Sequence, residues 1–95
     1  MKIPRKVKIA GQTYAVKSDR AVGDFGYLGR ISFQTLEIQI DGSVVTERQE
    51  QTFLHEILEA INKEYDVELT HHQIEQLEGA LYQVVKDNPT IFQRS

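Results

Sequence analysis

The feature that most constrains this chain is a change of hydrophobic period at its midpoint. Leu36, Ile38 and Ile40 alternate strictly with Glu37, Gln39 and Asp41. A period of two belongs to a strand with one wet face. From Thr52 onward the period lengthens: Leu54, Ile57, Leu58, Ile61 and Tyr65 recur at helical spacing and make one apolar stripe. One segment cannot serve both periods, so the first half reads as sheet and the second as helix. Strands followed by helices specify an α+β domain, with two packed helices on one face of a small antiparallel sheet of three to four strands.

Boundaries follow from local chemistry. Residues 7–10 and 13–16 flank Gly11-Gln12, which reads as a hairpin turn with glycine supplying the unusual backbone angles. Residues 18–29 read as a loop. The segment 27–33 is expected to pair with 36–40, and Asp41-Gly42-Ser43 ends that strand with turn chemistry. The strands then occupy residues 5–41, the first helix 47–65 and the second 70–87, in one domain over 1–95. Thr70 is the expected N-cap of the second helix, whose stripe is Ile74, Leu77, Leu81, Val84 and Val85. Asn88-Pro89 ends it, because the residue before proline avoids helical angles. The tail is expected to be loosely held, with Ile91 and Phe92 tucked onto the body. Tyr14, Phe25, Tyr27 and Phe33 read as core or sheet-surface aromatics rather than a base-stacking platform, for which interleaved basic residues are lacking.

Composition narrows the function classes. A chain of 95 residues buries a modest core, so a bound metal or a second subunit would add useful stability. The net charge of -3 argues against nucleic acid as a partner, since a phosphate-binding surface needs a basic excess. Lys2, Arg5, Lys6 and Lys8 cluster at the start and read as a solvated terminal strand. There are no cysteines, so any metal must be held by His, Asp or Glu, and a cytoplasmic setting is expected. No apolar core follows the N-terminal charges as in a signal peptide, and no apolar run approaches the roughly 20 residues that span a bilayer.

The informative segment is residues 52–60, Thr-Phe-Leu-His-Glu-Ile-Leu-Glu-Ala. His55 and Glu59 are four apart, one turn above each other on the same side of the helix, a spacing that lets both grip one ion. Glu56 stands where a general base for an attacking water would be. At about 100° per residue, His55 and Glu59 fall on the flank of the apolar stripe. Glu56 falls further round and faces solvent unless a strand edge or a substrate covers it. A third ligand must come from elsewhere, and the second helix offers His71, His72, Glu75 and Glu78. The same bookkeeping puts His71, Glu78 and Tyr82 on one flank of its stripe and points His72 away. That favours His71 as a ligand over His72, with Glu78 as an outer-shell or alternative group. A His-Glu pair on an amphipathic helix also suits an ordinary solvated flank, and spacing alone does not choose between the two readings.

These residues carry a resemblance. The chain is similar to small phage and prophage proteins of the zincin-like type, compact relatives of HExxH metallopeptidases. The likeness runs from Leu28-Gly29-Arg30-Ile31 through residues 36–40 and 51–61 to residues 77–85 and Asp87-Asn88-Pro89. It implies a zinc cofactor, a catalytic Glu56, a peptide or protein substrate lying along the sheet edge, and a bacterial host cytoplasm. The family has a second His at the fourth position after the first, where this chain has Glu59, an HExxE variant. Its third ligand is commonly a Glu near the start of the next helix, where this chain has His71 and His72. The exchange keeps two imidazoles and one carboxylate, a good zinc set. The implied metal ligands are therefore His55, Glu59 and His71, with His72, Glu78 and Tyr82 as outer-shell or alternative groups. The other reading is a non-enzymatic phage structural or interaction protein that kept the scaffold without catalysis.

Overall fold

A computed structural model describes residues 1–24 and 27–91, Asp24 by its backbone only. Phe25, Gly26 and Phe92 lie outside the described residues. The elements are β1 (Lys6–Ile9), β2 (Gln12–Ser18), a short α1 (Ala21–Asp24), β3 (Gly29–Ser32), β4 (Glu37–Ile40), α2 (Thr46–Glu64) and α3 (His71–Asp87). Four strands in the order β1-β2-β4-β3 form one sheet, and two packed helices follow it, an α+β fold.

The sheet is mixed rather than wholly antiparallel. β1 with β2 and β3 with β4 are antiparallel, but β2 and β4 run parallel, with Val16 opposite Ile38 and Ser18 opposite Ile40. The segment after Ser18, including α1 within the expected loop, carries the chain past the place beside β2 before β3 begins. The β3–β4 hairpin then folds back so that β4 takes that place. A parallel neighbour needs such a crossover. β2 and β4 are the two inner strands, and they supply the buried Tyr14, Ile38 and Ile40.

The first hairpin turns one residue earlier than expected. Gln12 pairs with Ile9, and the two-residue loop is Ala10-Gly11. Both carry positive φ, 51° and 81°. Positive φ at both positions is the requirement of the type I′ turn that matches strand twist. Gly11 adopts it freely, whereas Ala10 does so against its Cβ.

The core forms between the sheet and α2. Ile9, Tyr14, Ile38, Ile40, Phe53 and Ala60 are buried together, with Ile57 and Ile61 packed against them. Tyr14 meets Phe33 edge-on at 6.5 Å between centroids. Tyr65 is not part of this stripe: it is the C-cap of α2 and 63% exposed, because the helix ends before it can turn inward. In α3 Ile74 and Tyr82 are the buried residues. Leu77 and Val84, expected in the buried stripe, face outward instead. α2 covers only one side of α3, and nothing among the described residues covers the other.

Two local devices set the position of α3. Thr70 caps it, accepting from the Gln73 backbone N–H at 3.1 Å, while the Gln73 side chain accepts from the Thr70 N–H at 2.9 Å. This is the reciprocal capping box. The Asn62 side chain clasps Leu69 at both backbone groups, at 2.8 and 3.2 Å. The connection between them turns through Asp66 and Glu68, both at positive φ. No helix among the described residues is long and apolar enough to cross a membrane.

Relieving the Ala10 backbone should stabilise the protein. Asparagine tolerates the left-handed region better than alanine, so Ala10→Asn is expected to add about 1 kcal/mol. In a domain this size that raises the thermal midpoint by about 4 to 8 °C. Thermal unfolding followed by circular dichroism measures it.

Candidate metal centre

α2 and α3 lie side by side, and their facing flanks carry the polar groups. His55 and Glu59 project from α2, one turn apart. His71 opens α3, at the point fixed by the Thr70 cap and the Asn62 clasp. One ligand atom from each of the three lies within 4.8 Å of the other two. Among the described residues this is the one such group. A tetrahedral ion with bonds of about 2.1 Å spaces its ligands about 3.4 Å apart, so side-chain rotations on the order of an ångström close the set. The two imidazole rings are 5.6 Å apart between centroids, at 72° to each other.

The neighbouring carboxylates orient the rings. His55 Nδ1 lies 2.6 Å from Glu78 Oε1, with both side chains mostly covered. A carboxylate only accepts, so Nδ1–H donates and Nε2 keeps the lone pair for an ion. His71 Nε2–H donates to Glu75 Oε1 at 2.8 Å on the exposed rim. That pair is solvated and weakly held. Of the other groups on α3, His72 is exposed and outside the cluster. Tyr82 donates to the buried Glu50 at 2.8 Å and does not line the cleft.

Glu56 departs most from its expected place. The angular argument leaves it facing solvent unless a strand edge covers it, and one does: Glu56 is only 5% exposed. The covering strand is β3, the sheet edge. The contact depends on Gly29, where an added Cβ would stand 2.5 Å from Thr52 Cγ2, 3.1 Å from the Gln39 carbonyl oxygen and 3.2 Å from Glu56 Oε2. Only glycine lets the strand backbone approach the helix this closely. The glycine at the start of a strand was the one sequence signal that could have located this contact.

The result is a cleft of about 520 Å³ between β3, α2 and α3. Leu28, Gly29, Thr52, His55, Glu56 and His71 are among the residues lining it. Tyr27 and Leu28, which the residue patterns did not mark as site groups, form its exposed apolar rim. Burial raises the Glu56 carboxyl from its ordinary 4.5 to about 7. His55 pulls it down, while Glu59 and Glu78 push it further up. The arrangement thus offers two imidazoles and a carboxylate at one point, and beside them a carboxyl that takes and returns a proton near neutrality.

The raised Glu56 pKa has a consequence for the metal-free protein. As pH rises from 4.5 to about 7 the unfolded state releases this proton before the folded state does. Stability therefore falls across that window, by on the order of 3 kcal/mol. Glu56→Gln is expected to flatten this limb and to be the more stable protein at pH 8. Urea unfolding in a pH series, with metal chelated, measures both. Comparison with family models, with curated proteins and with solved structures returns no match to this chain.

Proposed function

We propose that this protein is a zinc-binding domain of the zincin-like type, in which His55, Glu59 and His71 hold the ion and Glu56 is the base toward a water in the cleft. The observation that carries the reading is the convergence of three ligand atoms from two helices within 4.8 Å. The donor set fits the ion: neutral imidazole and carboxylate ligands suit zinc in a site that keeps an open position. The cleft beside the set supplies room for that position.

When bound, the ion would supply Lewis acidity at the cleft floor. The chain does the rest. Glu78 holds His55 in one tautomer through Nδ1, as second-shell carboxylates commonly do for ligating histidines. Glu56, desolvated under β3, is suited to accept a proton from water and pass it to a leaving group. β3 is an edge strand, the kind of element to which an extended peptide adds, and the substrate proposed is therefore an unfolded or extended polypeptide.

Calorimetric titration of chelator-treated protein with zinc, with elemental analysis of the product, tests the ligand set. One ion per chain is expected, with a stabilisation of about 2.7 kcal/mol when free zinc is a hundredfold above the dissociation constant. His55→Ala, Glu59→Ala and His71→Ala should each weaken binding at least tenfold. Saturable binding that survives His71→Ala would remove α3 from the site, and no binding at all would end the proposal. Glu56→Gln should still bind zinc but lose any hydrolysis of unfolded protein substrates.

A further inference from the structure

α3 has a second face that the metal cleft does not use. Gln73, Gln76, Leu77, Ala80, Gln83 and Val84 lie within about 60° of one line along the helix. All six are exposed, Leu77 and Val84 at 44% and 46%. The charged residues Glu75, Glu78 and Lys86 project from other sides of α3. At its last residue, Asp87 returns to this face, where the Gln83 amide donates to it at 3.0 Å.

We infer that this face binds a second copy of the same chain, with the two α3 helices antiparallel and the two-fold axis at Ala80. An isologous interface must be self-complementary, so a helix that pairs with itself in antiparallel must read alike in both directions from the axis. This one does. Going outward from Ala80, Gln76 answers Gln83, Leu77 answers Val84, and Gln73 answers Asp87. In the dimer each residue meets its counterpart on the other copy: apolar meets apolar, amide meets amide, and Asp87 meets an amide donor rather than a carboxylate.

Shape agrees with this register. On the N-terminal side of Ala80 there is a groove of about 370 Å³ lined by Leu69, Gln73, Gln76, Leu77 and Ala80. On the other side, about as far along, Val84 stands out as a knob. Antiparallel pairing seats the Val84 of each copy in the groove of the other. At the axis, Ala80 is small, and Gly79 beside it has open space where a Cβ would be, so the helices can approach closely.

Charge at this face does not oppose a second copy. A protein of net charge -3 repels its own copy except through a surface without charge, and the centre of this face has none. A helix pair about 25 Å long is at the small end of stable interfaces, so the expected affinity is micromolar. His71, Glu75 and Glu78 lie on other sides of α3, and the metal cleft stays open in the dimer.

Sedimentation velocity of the full chain from about 10 to 500 µM reads the association, the range bracketing a micromolar constant. A monomer–dimer equilibrium is expected. Leu77→Glu and Val84→Glu should each raise the dimer dissociation constant at least tenfold with circular dichroism unchanged. Val45→Glu, at a residue 73% exposed and outside this face of α3, should leave it unaltered. The chain has no cysteine, so Ala80→Cys introduces a single thiol. Mild oxidation of that variant should give a covalent dimer, and Val45→Cys should not. A monomer throughout the range overturns the proposal. A dimer insensitive to Leu77→Glu, or one in which Ala80→Cys fails to cross-link, overturns the face or the register.

Discussion

The contact on which the rest of this structure depends is the approach of the Gly29 backbone to Thr52 and Glu56. It brings the sheet edge onto α2, and it is possible only because position 29 lacks a side chain. Three things follow from it. β3 is held against the helix rather than splayed from it, one wall of the cleft is backbone rather than side chain, and the Glu56 carboxyl loses its water. A side chain at that point would force strand and helix apart, and Glu56 would become an ordinary solvated acid. The unusual proton affinity of Glu56 is thus a property of the packing around it more than of the residue itself.

The second controlling element is the joint between the helices. His55 and Glu59 share a face by helical geometry alone, but His71 joins them only if α3 begins at the right place and angle. The Asn62 clasp on Leu69 and the Thr70 capping box fix that start from both sides of the connection. Because the backbone groups clasped are adjacent to the cap, little slack remains between the end of α2 and the first turn of α3. The Tyr82–Glu50 hydrogen bond closes the pair again further along. The cluster is therefore held at both ends by polar contacts, with Ile74 filling the space between.

Much of the fold was legible in the residues. The change of period at the midpoint separates sheet from helices, and Thr70 and Asn88-Pro89 mark the ends of α3 because caps and prolines act locally. The placement of His71 beside His55, with His72 outside that cluster, follows from helix phase. What was not legible depends on contacts between distant segments. The parallel pairing of β2 and β4 follows from which strand takes the central place, and strand alternation carries no information on direction. The burial of Glu56 required knowing that β3 would lie across it. The outward turn of Leu77 and Val84 shows the converse limit: an apolar residue at helical spacing reports a hydrophobic face but not what covers it. The one-residue shift of the first hairpin has a similar cause, for Ala10 shares the left-handed backbone that the pattern assigned to glycine and its successor.

The carboxylates around the cleft have a consequence of their own. Glu56, Glu75 and Glu78 line one concavity whose floor is partly shielded from water, and Glu59 stands beside it with His55 and His71. A hollow lined by one sign of charge concentrates the electric field at its mouth and enriches small ions of the opposite sign there. Divalent ions gain twice what monovalent ions do. The hollow would thus act as a collector before any bond is made, hastening capture without discriminating among ions of equal charge. Discrimination would fall to the imidazoles, whose directional lone pairs favour the later transition metals over calcium or magnesium.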